Sequence, residues 1–272
     1  MVASERTLVA TQSRAKNGVR LKTIVLPAEH GGWGLLFEPI ALGLLVAPSI
    51  AGFYLALSAV GFFLARHPLT LVVLNRQRSS PRTALARRFA MLYLAIGIAS
   101  FIAALVFTQH QFMLPLLIAT PFALVQVAHD WTGRRRVLLS ELAGAIAISS
   151  LPPAIALSGG GSAKAGFVLW TIMIARAAPA ILYVRACLRR RRVSDASPGP
   201  MVVAHILAIV AAVAFATANA ASPWVVVALT LLATRAIVGF SKARTVTAKQ
   251  LGFSEIAFGA MTVIIVAASK YF

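Results

Sequence analysis

Acidic residues are scarce in this chain. Only 7 of its 272 residues are Asp or Glu, against 26 Lys and Arg, and a single cysteine, Cys187, excludes an intrachain disulfide. Charged residues of both signs together make up 12%, whereas 59% of the residues are hydrophobic and the mean hydropathy is +0.84. This balance excludes a soluble domain of ordinary core size, and it predicts an all-α, polytopic membrane protein.

Apolar runs long enough to cross a bilayer, at about 20 residues each, can be placed nine times. The predicted spans are residues 25–47, 51–74, 89–107, 112–128, 138–157, 164–187, 200–219, 222–241 and 252–269. Arg66, His67 and Pro68 interrupt the second span, which predicts an end or a kink there. Residues 1–22 lack the apolar core of a secretory signal, so we expect a basic cytoplasmic tail followed by one transmembrane domain, residues 23–272.

Positive charge is divided unevenly between the two faces that these spans define. Five Lys and Arg lie in the tail, six in residues 66–88, three in 134–136, five in 185–192 and four in 235–249, which is 23 of the 26. The other face receives Lys164 and Lys270, and Arg176 lies within a span. The positive-inside rule therefore predicts a bacterial inner (cytoplasmic) membrane protein with a cytoplasmic amino terminus and an external carboxyl terminus. Topology explains the basic charge, so no nucleic-acid partner is expected.

A carboxylate inside the first span is the strongest functional signal. Glu38 lies at about mid-depth, where an ionisable group is costly and marks a site or an ion pair. Arg176, near the centre of its own span, is the natural partner, and both interpretations stay open. Tyr183 follows Arg176 by seven residues on the same helical face. Together they are predicted to line a cavity in which the arginine would suit a carboxylate or phosphate.

Two further pairs of polar residues lie near the predicted cytoplasmic face. Glu29 and His30 form either a polar helix entry or an acid and a proton carrier at a cavity mouth. The second interpretation is favoured, because the two residues form a compact motif with the Gly-Gly-Trp that follows. His129 and Asp130 follow the fourth span; an interfacial charged turn is favoured over catalysis, and ligand contact stays open. One His and one Asp fall short of the three or four ligands of a zinc site, so no metal or cofactor is expected.

Two more carboxylates occupy similar positions after cytoplasmic loops. Glu141 and Glu255 each lie beside glycine at helical spacing, and small neighbours mark packed helix faces in membranes. Both are therefore predicted to point into the bundle as structural ion-pair partners. The candidate partners are Arg66, Arg185 and Arg235.

The segment PAEHGGWGLLFEPIALG, residues 27–43, resembles the opening signature of the YwiC-like family of bacterial membrane proteins. That family in turn resembles a divergent branch of the UbiA prenyltransferase superfamily. Residues 134–157, RRRVLLSELAGAIAISSLPPAIAL, are similar to the stretch that opens the fifth UbiA helix, and residues 76–82, RQRSSPR, to the basic segment after the second. The resemblance, from about Leu26 to Phe272, implies a nine-helix UbiA-like bundle with a cytoplasm-facing cavity.

The chain departs from the UbiA pattern at both of the aspartate-rich motifs that hold magnesium against an isoprenyl diphosphate. The corresponding stretches, residues 65–75 and 174–192, contain no Asp or Glu. Instead, the positions where the acids would lie are roughly those of Arg66, His67, Arg176 and Arg185. Magnesium requires oxygen ligands. The resemblance therefore implies a cavity that binds an anionic amphiphile, such as an isoprenoid or quinone-related lipid, directly through these side chains.

Three functions follow as hypotheses. The leading one is this lipid-binding cavity; a metal-independent transferase step is left open, with Glu29, His30 and Glu38 as candidates for general acid or base. The second is a carrier or channel for a small anion or proton, gated by Glu38 and Arg176 and compatible with helices broken at proline. The third is a non-catalytic membrane assembly protein, which predicts a cavity filled by side chains.

Overall fold

The computed structural model describes residues 22–26, 30–76, 80–134, 136–193 and 195–269. Its helices are α1 (Lys22–Val25), α2 (His30–Val46), α3 (Ile50–Leu74), α4 (Pro81–Phe107), α5 (Met113–Trp131), α6 (Leu138–Ile148), α7 (Leu151–Ser158), α8 (Ala163–Arg190), α9 (Gly199–Thr217), α10 (Trp224–Ser241) and α11 (Ala248–Ala268), with a short 3₁₀ turn, His110–Phe112, before α5. The prediction of an all-α, multi-pass membrane protein is confirmed.

The number of spans depends on α2. Within the described residues, eight helical segments are long and apolar enough to cross a membrane, with α6 and α7 counted together. α2 has only 17 residues and falls short of that length, although its residues Gly32–Val46 form a shorter apolar helix around Glu38. The predicted count of nine is reached only when α2 is included.

Local capping explains two helix boundaries. α4 begins at Pro81 rather than at residue 89, because the hydroxyl of Ser80 accepts a hydrogen bond from the amide of Thr83 (3.2 Å) and proline suits the first helical position. α5 ends at Trp131, and Gly133 has a φ of +74°, the left-handed conformation common just past a helix end. The second predicted span does not end at Pro68, since α3 continues to Leu74.

The fifth predicted span is two helices rather than one. Pro152 and Pro153 have no amide hydrogen to donate to the preceding turn, so the helix breaks at Ser149 and Ser150. The backbone groups at the break have other partners. Ser150 donates through its hydroxyl to the carbonyl of Ala147 (2.6 Å), and the indole of Trp170 on α8 donates to the carbonyl of Ile146 (3.1 Å). The consecutive prolines were the sequence signal for this break.

α2 and α7 lie between the two halves of the bundle. One core cluster joins them to α3, α4 and the 3₁₀ turn, through Leu36, Ile40, Leu55, Ala104, Phe112 and Ile155. A second cluster joins them to α8, α9, α10 and α11, through Leu42, Ala156, Ile172, Ala208, Leu232 and Val263. A polar side chain on α2 can therefore contact the second half of the chain.

The connections between helices alternate between two ends of the bundle. At one end, the hydroxyl of Thr108 donates to the carbonyl of Ser158 (3.0 Å), and the hydroxyls of Ser49 and Ser158 are 3.4 Å apart. At the other end, Arg185 near the end of α8 donates to the carbonyl of Arg136 (3.0 Å) in the α5–α6 connection. The latter end contains the basic connections.

A substitution at the close contact between Gly61 and Gly97 tests the packing of α3 on α4. A Cβ atom at Gly61 would lie 2.7 Å from the amide nitrogen and 2.8 Å from the Cα of Gly97, whereas the nearest atoms to one at Gly97 belong to the exposed ring of Phe62, at 3.2 Å. We expect Gly61→Ala to lower the free energy of unfolding by about 1–3 kcal/mol, because backbone cannot move aside as a ring can. Gly97→Ala is the matched control. Equal detergent unfolding midpoints for the two variants would contradict this packing.

Membrane orientation stays a prediction and can be measured. In a Cys187→Ala background, Gln109→Cys places a thiol in the α4–α5 connection and Thr245→Cys places one in the basic α10–α11 connection; both positions are exposed. With the basic end cytoplasmic, a membrane-impermeant maleimide applied to intact spheroplasts labels the first variant, and labels the second only after permeabilisation. The reverse pattern would invert the topology.

Candidate functional site

Four charged side chains from four helices form one network inside the bundle. Arg176 on α8 donates through Nη2 to Glu38 Oε1 on α2 (3.2 Å) and to the main-chain oxygen of Glu255 on α11 (2.9 Å). Its Nη1 donates to Glu255 Oε2 (3.4 Å). The other carboxylate oxygen of Glu255 accepts a hydrogen bond from Arg235 on α10. Two arginines thus face two glutamates, and the formal charges balance.

All four members of the network are shielded. The side chain of Arg176 is 3% exposed and that of Glu38 is 9% exposed, and Arg235 and Glu255 are nearly as buried. Removing one partner from a buried ion pair costs about 3–5 kcal/mol, because the remaining charge stays out of water without compensation. The network therefore ties α2, α8, α10 and α11 to one another, and Glu38 is engaged rather than free.

Gly259 on α11 provides the space for this network. A Cβ atom at that position would overlap the carboxylate of Glu38 and would lie 2.7 Å from Nη2 of Arg176. Gly34, on the helix of Glu38, also lies beside the carboxylate; a Cβ there would be 3.3 Å from Oε1. The two small residues allow a charged group to lie where α2 and α11 meet.

Tyr183 belongs to the packing of this network rather than to an open cavity. The guanidinium of Arg235 lies over the ring of Tyr183, 4.3 Å from its centroid, and also over Phe258 at 5.0 Å. Such cation–π contacts are favourable where water is excluded. Tyr183 is not among the described residues that line the cavity, so the expectation that it lines a cavity beside Arg176 does not fit its position.

A cavity of about 900 Å³ extends from the network toward the basic end of the bundle. Its inner end is formed by Glu38, Arg176 and Glu255. Apolar side chains of α6 and α8 form much of its wall, including Leu138, Ala145, Ile148, Ala180, Ile181 and Val184. The outer end is formed by Arg136, Arg189, Arg192 and Ser197. Arg176 and Arg189 are 13 residues apart on one helix, which corresponds to about 20 Å of depth.

Two further ion pairs lie along this cavity. Arg185 donates to Glu141 Oε2 (2.9 Å), and Arg66 makes a two-pronged contact with Asp130, in which Nη2 donates to Oδ1 (2.9 Å) and Nε to Oδ2. Arg66, Arg185 and Glu141 line the cavity, whereas Asp130 is buried behind Arg66 at 1% exposure. The contact between Arg66 and Asp130 joins α3 to α5.

The remaining candidate residues lie away from the cavity wall or outside the described residues. His67 Nε2 is 3.1 Å from the carbonyl oxygen of Thr23, and His129 Nδ1 is 2.8 Å from the carbonyl oxygen of Val125 in its own helix. Neither histidine is among the described residues that line the cavity. Glu29 and the side chain of His30 lie outside the described part of the chain, so their proposed acid and base roles stay predictions.

The cavity does not suit the magnesium that the UbiA resemblance implies. The stretches corresponding to the two aspartate-rich motifs contribute Arg66, Arg176 and Arg185 to its wall. A guanidinium is a donor without acceptor capacity and cannot ligate a hard cation. Across the described ranges, no group of three or more His, Cys, Asp or Glu side chains is placed to hold a metal ion.

Two wall residues were not singled out from the sequence. Gln126 lies in an apolar run of α5, packed so closely on Gly144 of α6 that a Cβ there would overlap its amide. An amide inside a span was the available signal. Arg136 was counted only as one of three loop charges, and its place at the cavity follows from the hydrogen bond between its carbonyl and Arg185.

Residues 26–156 match the family model described as YwiC-like protein. This part of the chain is similar to the YwiC-like family. Neither a curated protein nor a solved structure matches the chain. The resemblance that the opening segment carries is thereby confirmed, whereas the relationship to the UbiA superfamily stays a prediction.

Each ion pair between the YwiC-like segment, residues 26–156, and the later helices has one partner in the segment and one partner after it. Glu38 and Glu141 lie within it, and their partners Arg176 and Arg185 lie after it. The pair of Arg66 with Asp130 lies wholly within the segment. The cavity is thus completed by helices beyond the matched residues.

Gly259→Ala tests the buried network against a control on the same helix. A Cβ atom at Gly252, two turns earlier, has nothing within 4 Å. We expect Gly259→Ala to lower the free energy of unfolding by roughly 3 kcal/mol, because the Glu38 carboxylate is pushed away from Arg176. Gly252→Ala should be neutral or slightly stabilising, since alanine is the better helix former. Thermal unfolding in detergent measures both, and equal midpoints would contradict the geometry at Gly259.

Proposed function

We propose that this protein binds an anionic amphiphile in the cavity that opens at its basic, cytoplasmic end. The observation that supports this most is the composition of the wall. Apolar side chains of α6 and α8 cover much of its length, and charged groups lie at its two ends and, between them, in the ion pairs of Arg66 and Arg185. An apolar wall suits a hydrocarbon chain, and arginines suit a carboxylate or phosphate.

The balance of charge along the wall favours an anion over a cation. Among the described residues that line the cavity there are six arginines and three glutamates, which leaves a formal excess of three positive charges. The volume of about 900 Å³ lies near the upper end of the usual range for small-molecule sites. A lipid phosphate, such as an isoprenoid phosphate, fits both the volume and the positive charge of the cavity, because its long chain fills the space and its phosphate is an anion.

The two alternative functions fit the geometry less well. An assembly protein without a ligand predicts a filled interior, whereas the space between α6 and α8 is open. A carrier could use the broken helix as an ion site, since unwound carbonyls coordinate ions in some transporters. The carbonyls of Ala145, Ile146 and Ala147 at this break, however, already accept hydrogen bonds from Ser149, Trp170 and Ser150.

Group transfer is a separate question from binding. Glu38, one candidate for general acid or base, is held by Arg176 at 3.2 Å. A metal-independent transferase would therefore depend on Glu29 or His30, which the sequence predicts at the cavity mouth. Binding itself needs neither residue, and it is the binding role that we propose.

Filling the apolar wall tests the proposal. Ile148 is a half-buried wall residue of α6, whereas Ile206 on α9 is 54% exposed and is not among the described residues that line the cavity. We expect farnesyl phosphate to raise the unfolding midpoint of the wild-type chain and of Ile206→Trp, and to have little effect on Ile148→Trp, because the added indole occupies the space for the chain. No stabilisation of the wild type by farnesyl phosphate, together with no co-purified anionic lipid in mass spectrometry, would exclude the proposed function.

A further inference from the structure

We infer that the bound molecule lies with its head outward, on Arg136, Arg189 and Arg192, and that this head is a phosphoryl group with more than one negative charge. The inference rests on the proposed function and adds the position and chemistry of the head group. The opposite orientation, with the head on Arg176 at the inner end, is the alternative that the sequence favoured.

Pairing along the cavity places the positive excess at the outer end. At the inner end, Arg176 and Arg235 are balanced by Glu38 and Glu255. Arg185 is balanced by Glu141, and Arg66 by Asp130. Within the described ranges, the three outer arginines have no carboxylate at ion-pair distance. They therefore hold the whole uncompensated charge of the wall.

The inner end is poorly suited to an additional anion. Both N–H groups of Arg176 Nη2 are used, one by Glu38 and one by the main chain of Glu255, and its Nη1 already donates to the Glu255 carboxylate. Its Nε is buried and has no acceptor among the described residues, which leaves one N–H of Arg176 for a further contact. An anion entering here would add a negative charge to a neutral network away from water, which is costly.

Local geometry brings the three outer arginines around one opening. Arg189 follows Arg185 by four residues and shares its face of α8, and Arg192 lies in the turn just past the end of that helix. Both arginines line the cavity. Arg185 Nη1 donates to the carbonyl of Arg136 at 3.0 Å, which holds the α5–α6 connection against that face. Guanidinium groups from two segments thus face the same space. The exposed arginines lie at the helix end, about 20 Å from Arg176, where a hydrated head group is stable.

The amount of charge distinguishes a phosphoryl group from a carboxylate. Three arginines carry three positive charges, and a carboxylate would neutralise one of them. A phosphomonoester carries about two negative charges at neutral pH and a diphosphate about three, and planar guanidinium groups bind their oxygens in pairs. The hydrocarbon chain then extends along Leu138, Val184 and Ile181 toward the inner end.

Arg191 provides a matched control for this site. It lies between Arg189 and Arg192 in sequence and is exposed as they are, but it is not among the residues that line the cavity. Arg191→Gln changes the net charge and the membrane-surface potential as much as Arg189→Gln or Arg192→Gln. A difference between these variants therefore reports contact with the ligand rather than general attraction of anions.

The experiment measures dissociation constants of farnesyl phosphate, farnesol and inorganic phosphate for the purified full-length chain in detergent. We expect Arg189→Gln and Arg192→Gln each to weaken farnesyl phosphate binding by roughly tenfold, the effect of losing one charge-assisted contact. Arg191→Gln should stay within about twofold of the wild type. Farnesol should bind more weakly than farnesyl phosphate, and equally to all four proteins, because it lacks the charged group.

Several outcomes would overturn the inference. If Arg189→Gln and Arg191→Gln lost equal affinity for farnesyl phosphate, the outer arginines would act only through the electrostatic potential of the surface and not through contact with the ligand. Tighter binding in Glu38→Gln, which releases Arg176, with no change in Arg189→Gln, would place the head at the inner end. Inorganic phosphate binding as tightly as farnesyl phosphate would identify a soluble phosphate as the ligand. A wild type that binds no farnesyl phosphate would instead refute the proposed function, as the Ile148→Trp comparison would also show.

Discussion

The ionic network of Glu38, Arg176, Glu255 and Arg235 is the interaction on which the rest of the structure depends. Four charges in a bundle of apolar helices are tolerable only because each has a partner of opposite sign and little contact with lipid. This requirement fixes the relative positions of α2, α8, α10 and α11. It also explains Gly259, where the smallest side chain leaves room for the Glu38 carboxylate. The short helix α2, placed between the two halves of the bundle, brings that carboxylate to its partners.

The properties of the cavity follow from the neutrality of this network. Because the inner charges are mutually satisfied, the inner end offers a polar wall without a net charge. The wall between the ends is largely apolar, and the arginines that have no carboxylate partner among the described residues lie at the outer end of the cavity. The charge of the wall thus changes from neutral at the inner end to positive at the outer end. An amphiphile with an anionic head would enter from the positive end. One arrangement of ion pairs thus gives both the stability of the bundle and the polarity of its opening.

Much of the helical layout was predictable, because long apolar runs in a bilayer must satisfy their backbone groups internally and do so as helices. The positions of Glu38 and Arg176 were also recognisable, since an intramembrane charge demands a partner of opposite sign. The break at Ser149 and Ser150 was missed, although Pro152 and Pro153 signalled it, because apolar length was given more weight than backbone hydrogen bonding. Tyr183 was placed in the cavity because helical spacing gives a shared face but not the neighbour that this face meets. α10 meets it, and Arg235 covers the ring.

The sequence by itself determined that this is an all-helical, multi-pass membrane protein with a YwiC-like first half, and that a few charged residues would have to be paired inside it. Composition and spacing suffice for this, because the cost of charge in hydrocarbon acts on each residue wherever its partner lies. The tertiary structure alone decided the partners: Asp130 for Arg66, Glu141 for Arg185, and Glu255 shared between Arg176 and Arg235. Several arginines were equivalent choices in the sequence. The packing of α8 against α6 on one side and α11 on the other selected among them, and within the described part of the chain it left the outer arginines without a carboxylate partner.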